Sequence, residues 1–306
     1  MPPAAASGDL LGRPRALINA GCSCFINAVI QALWALPLLK EAMQDFLLNR
    51  MPPSDEPSLS ASVLRLLAVT YRQCFSGDAA TAVRPDLLLA EFYTAGVQED
   101  AHEFFMKLVD DRSLFLVHHL FEGVDIPHLR CVHCGHFARV SATERFTCLS
   151  LPVQSSTWTA SSVQSALDRY FELEPMPLDT QYVCMNEMCF ETRVSQPQEQ
   201  FVQKKHAMHQ HPQILCIQLM RWIGLENVYT GTVHINQRID VDGQRYALKS
   251  VVFHAGLSVH GGHYWSVVQH SIEGNFSWWC YNDTKVFQVS ESHCSTSLHL
   301  SCYECF

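Results

Sequence analysis

The chain has 306 residues, 48% of them hydrophobic and 17% charged, and a formal charge of -9 at pH 7. That composition suits one large core or two smaller ones and excludes a disordered chain, and no apolar run approaches the roughly 18 residues a membrane helix needs. The acidic balance argues against nucleic acid as the main partner and suits a basic protein or peptide tail.

The stretch Met1–Ser7 has neither the basic start nor the apolar run of a secretory signal. Thirteen cysteines then point to a reducing compartment, cytoplasm or nucleus, where they serve as nucleophile, metal ligands or core residues. An odd count also rules out a complete disulfide framework. Ile26, Val29, Ile30 and Leu33 recur at i, i+3, i+4, i+7, which predicts a helix packed on one face and ended by Pro37. Residues 51–60, rich in Pro and Ser, read as a loop before a second helix through Val63, Leu66, Leu67 and Tyr71. A third helix is predicted from Glu99 to Val109, with Ala101, Phe104, Phe105 and Leu108 buried and Asp100, Glu103 and Lys107 on another face.

From Phe121 onward the texture changes to short strands punctuated by Cys pairs. Ser161 or Ser162 is placed to cap a short helix running to Phe171. Residues 174–180 and 195–200 read as loops. Four strands are predicted at Ile214–Ile223, Tyr246–His254, Tyr264–Gln269 and Phe276–Tyr281. A helical first third followed by a β-rich remainder is an α+β chain.

Three groups of residues carry chemistry. The first is Cys24, at the predicted start of a helix and preceded by Gly21 and Ser23. Converging backbone N–H groups there are expected to lower the thiol pKa and to leave donors for an oxyanion, with Asn19 a further donor. Read alone, such a cysteine is more often an ordinary core residue. The second is His263, between Gly262 and Tyr264 at the mouth of a strand, a candidate base for the thiol. Asn282 and Asp283 follow an aromatic strand 19 and 20 positions later, and either could hold the imidazole in one tautomer. The third is the pair Cys131 and Cys134 followed by Gly135. With Cys184 and Cys189 it makes a four-thiolate set for structural zinc, and His133 and His136 are alternative ligands. No catalytic cofactor is expected.

Taken together, these segments closely resemble the ubiquitin-specific protease family of cysteine deubiquitinases, collinearly from Leu17 to Phe306. Leu17 to Gln31 is similar to the family's cysteine box, with Cys24 as nucleophile and Asn19 in the oxyanion position. Gln98 to Phe104 resembles its acidic helix motif. Cys131 to Gly135 and Phe146 to Val153 resemble the start of its zinc-bearing fingers, and Pro212 to Trp222 one of its strands. Val252 to Tyr264 and Trp279 to Val286 resemble the histidine box. Cys22 and Ser23 depart from the usual polar residue and threonine, and the Cys184–Cys189 spacing is wider than a CxxC.

The resemblance implies a papain-like fold of thumb, palm and zinc-ribbon-like fingers. Residues 1–15 would be a tail and 16–306 the catalytic domain, with the thumb at about 16–115, the fingers within 121–220 and the palm mainly within 121–306. It implies hydrolysis of the bond at ubiquitin's C-terminal glycine, with Gln98, Asp100, Glu103, Gly262 and Tyr264 along the path of the ubiquitin tail. The partners are ubiquitin and ubiquitinated proteins, not nucleic acid or membrane. Two other readings share the motifs: a protease for a two-domain interferon-induced ubiquitin-like modifier, and a catalytically silent ubiquitin-binding scaffold.

Overall fold

The computed structural model describes residues 13–50, 63–78, 80–109, 115–139, 143–176, 184, 186–187, 189, 202–223, 227–258, 261–272, 275–290 and 298–305. The predicted loops at 51–60, 177–180 and 195–200 lie outside them. Among the described residues, six α-helices precede the first strand: α1 Cys24–Leu33, α2 Pro37–Asp45 (continued by a π-helical turn at Phe46–Arg50), α3 Val63–Cys74, α4 Asp86–Phe92, α5 Ala101–Val109 and α6 Phe115–Phe121.

The helix behind Cys24 forms, but it is not packed on one face. All ten residues of α1 are buried, so it runs through the middle of the helical layer instead of along its surface. Its polar residues survive burial by bonding: Gln31 donates to the Arg15 carbonyl (2.8 Å) and Asn27 to Asp283 (2.9 Å). Pro37 does not end α1, which stops at Leu33; it opens α2 at the first helical position, where its missing N–H costs nothing. Edge-to-face contacts Phe25–Phe104 (5.6 Å) and Trp34–Tyr71 (6.1 Å) lock α1 and its exit to α5 and α3.

Local signals set the other helix starts. Asp100 caps α5, its Oδ1 accepting from the N–H of His102 (2.8 Å) and Glu103 (3.0 Å), so the helix begins after Asp100 and not at Glu99. Farther along, α7 (Val163–Tyr170) starts at Ser162, where Ser162 and Ser165 form a reciprocal capping box, and ends at Phe171 as predicted.

The predicted strands assemble into an eight-stranded sheet. Its path runs through Lys285–Val289, Asn275–Asn282, Gly261–Ile272, Gln244–Ser258, Leu298–Cys305, Ile214–Met220 and Leu149–Pro152, with Arg238–Val241 paired beside Gln244–Ser258. Among the described strand pairs of this sheet, only that of Leu149–Pro152 with Ile214–Met220 is parallel. Alternation divides the strands between two cores. Ile214, Cys216, Val252 and Tyr264 join the helical layer. Leu215, Ile217, Val251 and Phe253 pack with α7 on the other face. The sheet is therefore covered on both sides, and its first face presses the histidine strand against α1.

Among the described residues, three smaller sheets accompany this body: the short pair Trp222–Ile223 with Asn227–Val228, and two larger ribbons. One orders Phe137–Arg139, His128–Cys131, Val202–Lys205 and Glu174–Pro175; the other orders Glu144–Phe146, Gly123–Asp125 and Met208–Gln210. Glu174–Pro175, expected in a loop, is an edge strand paired with Val202–Lys205. At the other end of the chain, Arg13 stacks on Trp279 (4.2 Å) and Arg15 bonds to Gln73, Ser76 and Thr81, so packing is established by Arg13. Helical layer, covered sheet and projecting ribbons together make the α+β, papain-like arrangement of thumb, palm and fingers. Among the described residues, no single helix is long and apolar enough to cross a membrane.

Candidate active site

Cys24 is the first residue of α1, and Ser23 before it makes no side-chain cap bond to the helix. The first-turn N–H groups are thus left for the sulfur or for a ligand. The Cys24 thiol also meets the backbone N–H of Tyr264, the residue after His263. A helix start and a strand mouth 240 residues apart in sequence are in contact.

His263 and its neighbours have distinct partners. The Nε2 of His263 and the Oδ1 of Asn282 are 2.7 Å apart, so Nε2 carries the proton and Nδ1 keeps its lone pair. Asp283 faces the other way, its two oxygens accepting from Asn19 Nδ2 (3.0 Å) and Asn27 Nδ2 (2.9 Å). The hairpin turn divides them: Asn282 pairs with Lys285 as the last strand residue, while Asp283 takes a positive φ of 52° at the first turn position. Asn19 is stapled into the loop before Cys24, its Oδ1 accepting from the N–H of Gly21 (2.9 Å) and Ser23 (3.0 Å).

The Cys24 thiol is not lowered, contrary to the sequence expectation; its pKa is raised above the usual value. Burial has the largest effect, and the nearby Asp283 charge adds to it. The N–H groups of Tyr264, Phe25 and Cys24 act in the opposite direction but do not outweigh them. The resting sulfur is a thiol and needs a base.

The remaining predicted residues fall into two sets. Glu103 and Gly262 are exposed and Asp100 is half-buried. Gly262 has φ 146°, and a Cβ there would stand 2.4 Å from the Ala255 carbonyl oxygen, so no other residue fits. Gln98 and Tyr264 are buried. The Tyr264 ring packs on His254 (4.4 Å) and its hydroxyl reaches Asp100 Oδ2 (3.4 Å). Tyr264 therefore offers the Cys24 thiol its N–H and not its ring. Sequence reasoning missed Asn27, which anchors Asp283, and Tyr93. The Tyr93 hydroxyl accepts from the Cys22 N–H (3.0 Å) and donates to the Ala20 carbonyl (3.2 Å), bracing the loop before Cys24. Nothing in the local sequence marks Tyr93, because it acts across about 70 residues.

Cys131, Cys134, Cys184 and Cys189 converge, their sulfurs all within 4.8 Å of one another. The Cys131–Cys189 and Cys134–Cys184 sulfurs are 3.5 and 3.7 Å apart, too far for a disulfide. A tetrahedron with metal–sulfur bonds of about 2.3 Å has edges of about 3.8 Å, so the four thiols fit one tetrahedral ion. The wider Cys184–Cys189 spacing still brings both sulfurs into the set, and His133 and His136 are not part of it.

A family model described as ubiquitin carboxyl-terminal hydrolase matches residues 15–301. Ubiquitin carboxyl-terminal hydrolase 36 of Drosophila mojavensis is 26% identical over 333 residues, covering 94% of this chain and 26% of its own. The protein of the same name from Drosophila ananassae is 28% identical over 329 residues, covering 94% and 28%. The chain thus spans about a quarter of the length of the curated relatives it matches. Among solved structures, the SAGA DUB module Ubp8/Sgf11/Sus1/Sgf73 bound to monoubiquitin superposes with a TM-score of 0.79 at 19% identity, covering 98% of this chain and 71% of that one. The same module bound to ubiquitin aldehyde gives 0.78 at 19% identity, with the same coverage.

Proposed function

The chain belongs to the ubiquitin carboxyl-terminal hydrolase family, and from that premise we propose that it is a thiol-dependent deubiquitinase cleaving the bond at ubiquitin's C-terminal glycine. The observation that carries the reading is the meeting of the Cys24 thiol with the mouth of the histidine strand, where His263 is already oriented by Asn282.

In this reading the Nδ1 of His263 takes the proton of Cys24, which burial keeps on the sulfur at rest. The thiolate attacks the glycine carbonyl. The developing oxyanion is met by the N–H groups at the start of α1 and by the N–H of Asn19 that Asp283 leaves free. The imidazolium then protonates the departing amine, and a water deprotonated by His263 releases ubiquitin from the acyl-enzyme. Asn282 holds the ring, and Asp283 holds the Asn19 loop against α1. Glu103 and Asp100, one turn apart at the start of α5, offer carboxylates to the basic tail of ubiquitin.

We also assign the four-cysteine cluster to structural zinc, which when bound ties together the ends of the fingers. Four protein ligands leave no position for catalysis, so no step passes through it. The ten cysteines whose side chains are described are free thiols, in keeping with our placing the chain in a reducing compartment, cytoplasm or nucleus.

A ubiquitin probe with a C-terminal electrophile tests the proposal. It should label Cys24 and fail on Cys24→Ala. Absence of labelling on the native chain would favour a silent scaffold. Labelling only by the equivalent probe built on a two-domain ubiquitin-like modifier would transfer the activity to that substrate.

A further inference from the structure

A second cysteine–histidine cluster lies outside the proposed catalytic machinery. Leu149 pairs in parallel with Ile217, and the residues just before them, Cys148 at the entrance to its strand and Cys216 within the next, are in side-chain hydrogen-bonding contact. Both sit on the face of the sheet turned to the helical core. From above, His102 of α5 hydrogen-bonds to Cys148, and the Cys216 thiol and the Gln218 N–H complete the set of donors around its sulfur. Cys148 is half-buried, whereas Cys216 is fully enclosed.

We infer that Cys148 is a peroxide-reactive thiolate and Cys216 its resolving thiol, forming a reversible disulfide beneath α5. The contacts supply what this chemistry needs. Burial alone would raise Cys148, but the bonds from Cys216 and His102 and the charge of His102 hold it down at about 6. His102 is raised in turn: burial opposes its charge, but Cys148, Asp100 and Glu103 favour it. The thiolate sulfur attacks one oxygen of hydrogen peroxide and the O–O bond breaks. The hydroxide leaves as water with the proton of His102, and Cys148 becomes a sulfenic acid. The Cys216 sulfur then attacks the Cys148 sulfur, the S–O bond breaks, and a second water leaves with the Cys216 proton. Two thiols are oxidised and one peroxide is reduced to two waters. Neighbouring strands lie about 4.8 Å apart, so adjacent residues can be bridged with little backbone movement. The disulfide takes from His102 its thiolate partner, in the first turn of the helix that carries Asp100 and Glu103.

The test is chemical and does not depend on hydrolytic activity. The full chain is treated with a few equivalents of hydrogen peroxide, its remaining thiols are blocked with N-ethylmaleimide, and its peptides are mapped by mass spectrometry. The expected product is a Cys148–Cys216 cross-linked peptide that dithiothreitol abolishes. In Cys216→Ser, dimedone should trap Cys148 as the sulfenic acid. In His102→Gln, oxidation of Cys148 should slow about tenfold as its thiolate fraction falls. Recovery of both cysteines fully blocked from wild-type protein whose Cys24 is already oxidised would overturn the inference, whether or not the variants fold. Pairing of Cys148 with any other cysteine would do the same.

Discussion

Asp283 and Asn282 are adjacent in sequence, yet the structure gives them separable tasks, and Asp283→Asn tests the separation. The substitution keeps the side-chain shape, and asparagine tolerates the positive φ of 52° found there. It removes the charge and one of the two acceptors that hold Asn19 (3.0 Å) and Asn27 (2.9 Å). At best the new amide accepts from one of them and turns an NH2 group toward the other. Because Asn27 is buried, its unpaired donor is not repaid by water. Loss of one charge-assisted bond costs about 2 kcal/mol, which in a domain of this size lowers Tm by about 3 °C. The same change removes a negative charge that raises the Cys24 pKa, so iodoacetamide should alkylate Cys24 faster at pH 7.5. Stability falls while thiol reactivity rises, a combination that simple damage to the site does not produce. Asn282→Ala should do the converse, leaving Tm nearly unchanged and reducing turnover of a ubiquitin substrate. An unchanged Tm in Asp283→Asn, or slower alkylation, would refute the assignment of Asp283 to the α1 side of the site.

Three further outcomes follow from the structure. Elemental analysis should find about one zinc per chain, falling toward zero in Cys184→Ser, since three thiolates are a poor structural site; metal retained in that variant would remove Cys184 from the set. In His263→Ala the raised Cys24 thiol loses its base, so its alkylation should climb about tenfold per pH unit from pH 6.5 to 8.5; a plateau below pH 8 would show a lowered thiol instead. Asp125 is buried, and although burial opposes its charge, bonds from His206, Tyr170 and the Ala207 N–H hold it below the usual carboxylate range. A lowered carboxyl contributes stability that is complete above its unfolded value and is lost as pH falls through the folded one. Asp125→Asn should therefore cost about 3 kcal/mol at pH 5 and progressively less below about pH 4. Urea melts at the two pH values check this, and equal stability of the two proteins at pH 5 would refute it.

The sequence by itself determined whatever depends on neighbours along the chain. Ser162 with Ser165 wrote the start of α7, and apolar spacing wrote α1, α3, α5 and the four long strands. The order of the cysteine box, acidic helix, cysteine pairs and histidine box wrote the family, and with it the expected roles of Cys24 and His263. Short-range signals were misread where a residue has two uses. Pro37 was legible as a helix boundary, but whether it closes one helix or opens the next depends on where Leu33 is already packed. Only the tertiary structure decided partners and protonation. Asn282 and Asp283 each carry an oxygen able to accept from an imidazole N–H, and the positive φ at Asp283 turns its side chain away from that of Asn282, toward α1. The Cys24 thiol sits at a helix start that lowers its pKa locally, and the layer of protein packed around it reverses the sign, because desolvation grows with everything folded against the sulfur. The four finger cysteines and the trio of His102, Cys148 and Cys216 are scattered over 58 and 114 residues of chain, distances over which no local pattern reports which sulfurs will meet.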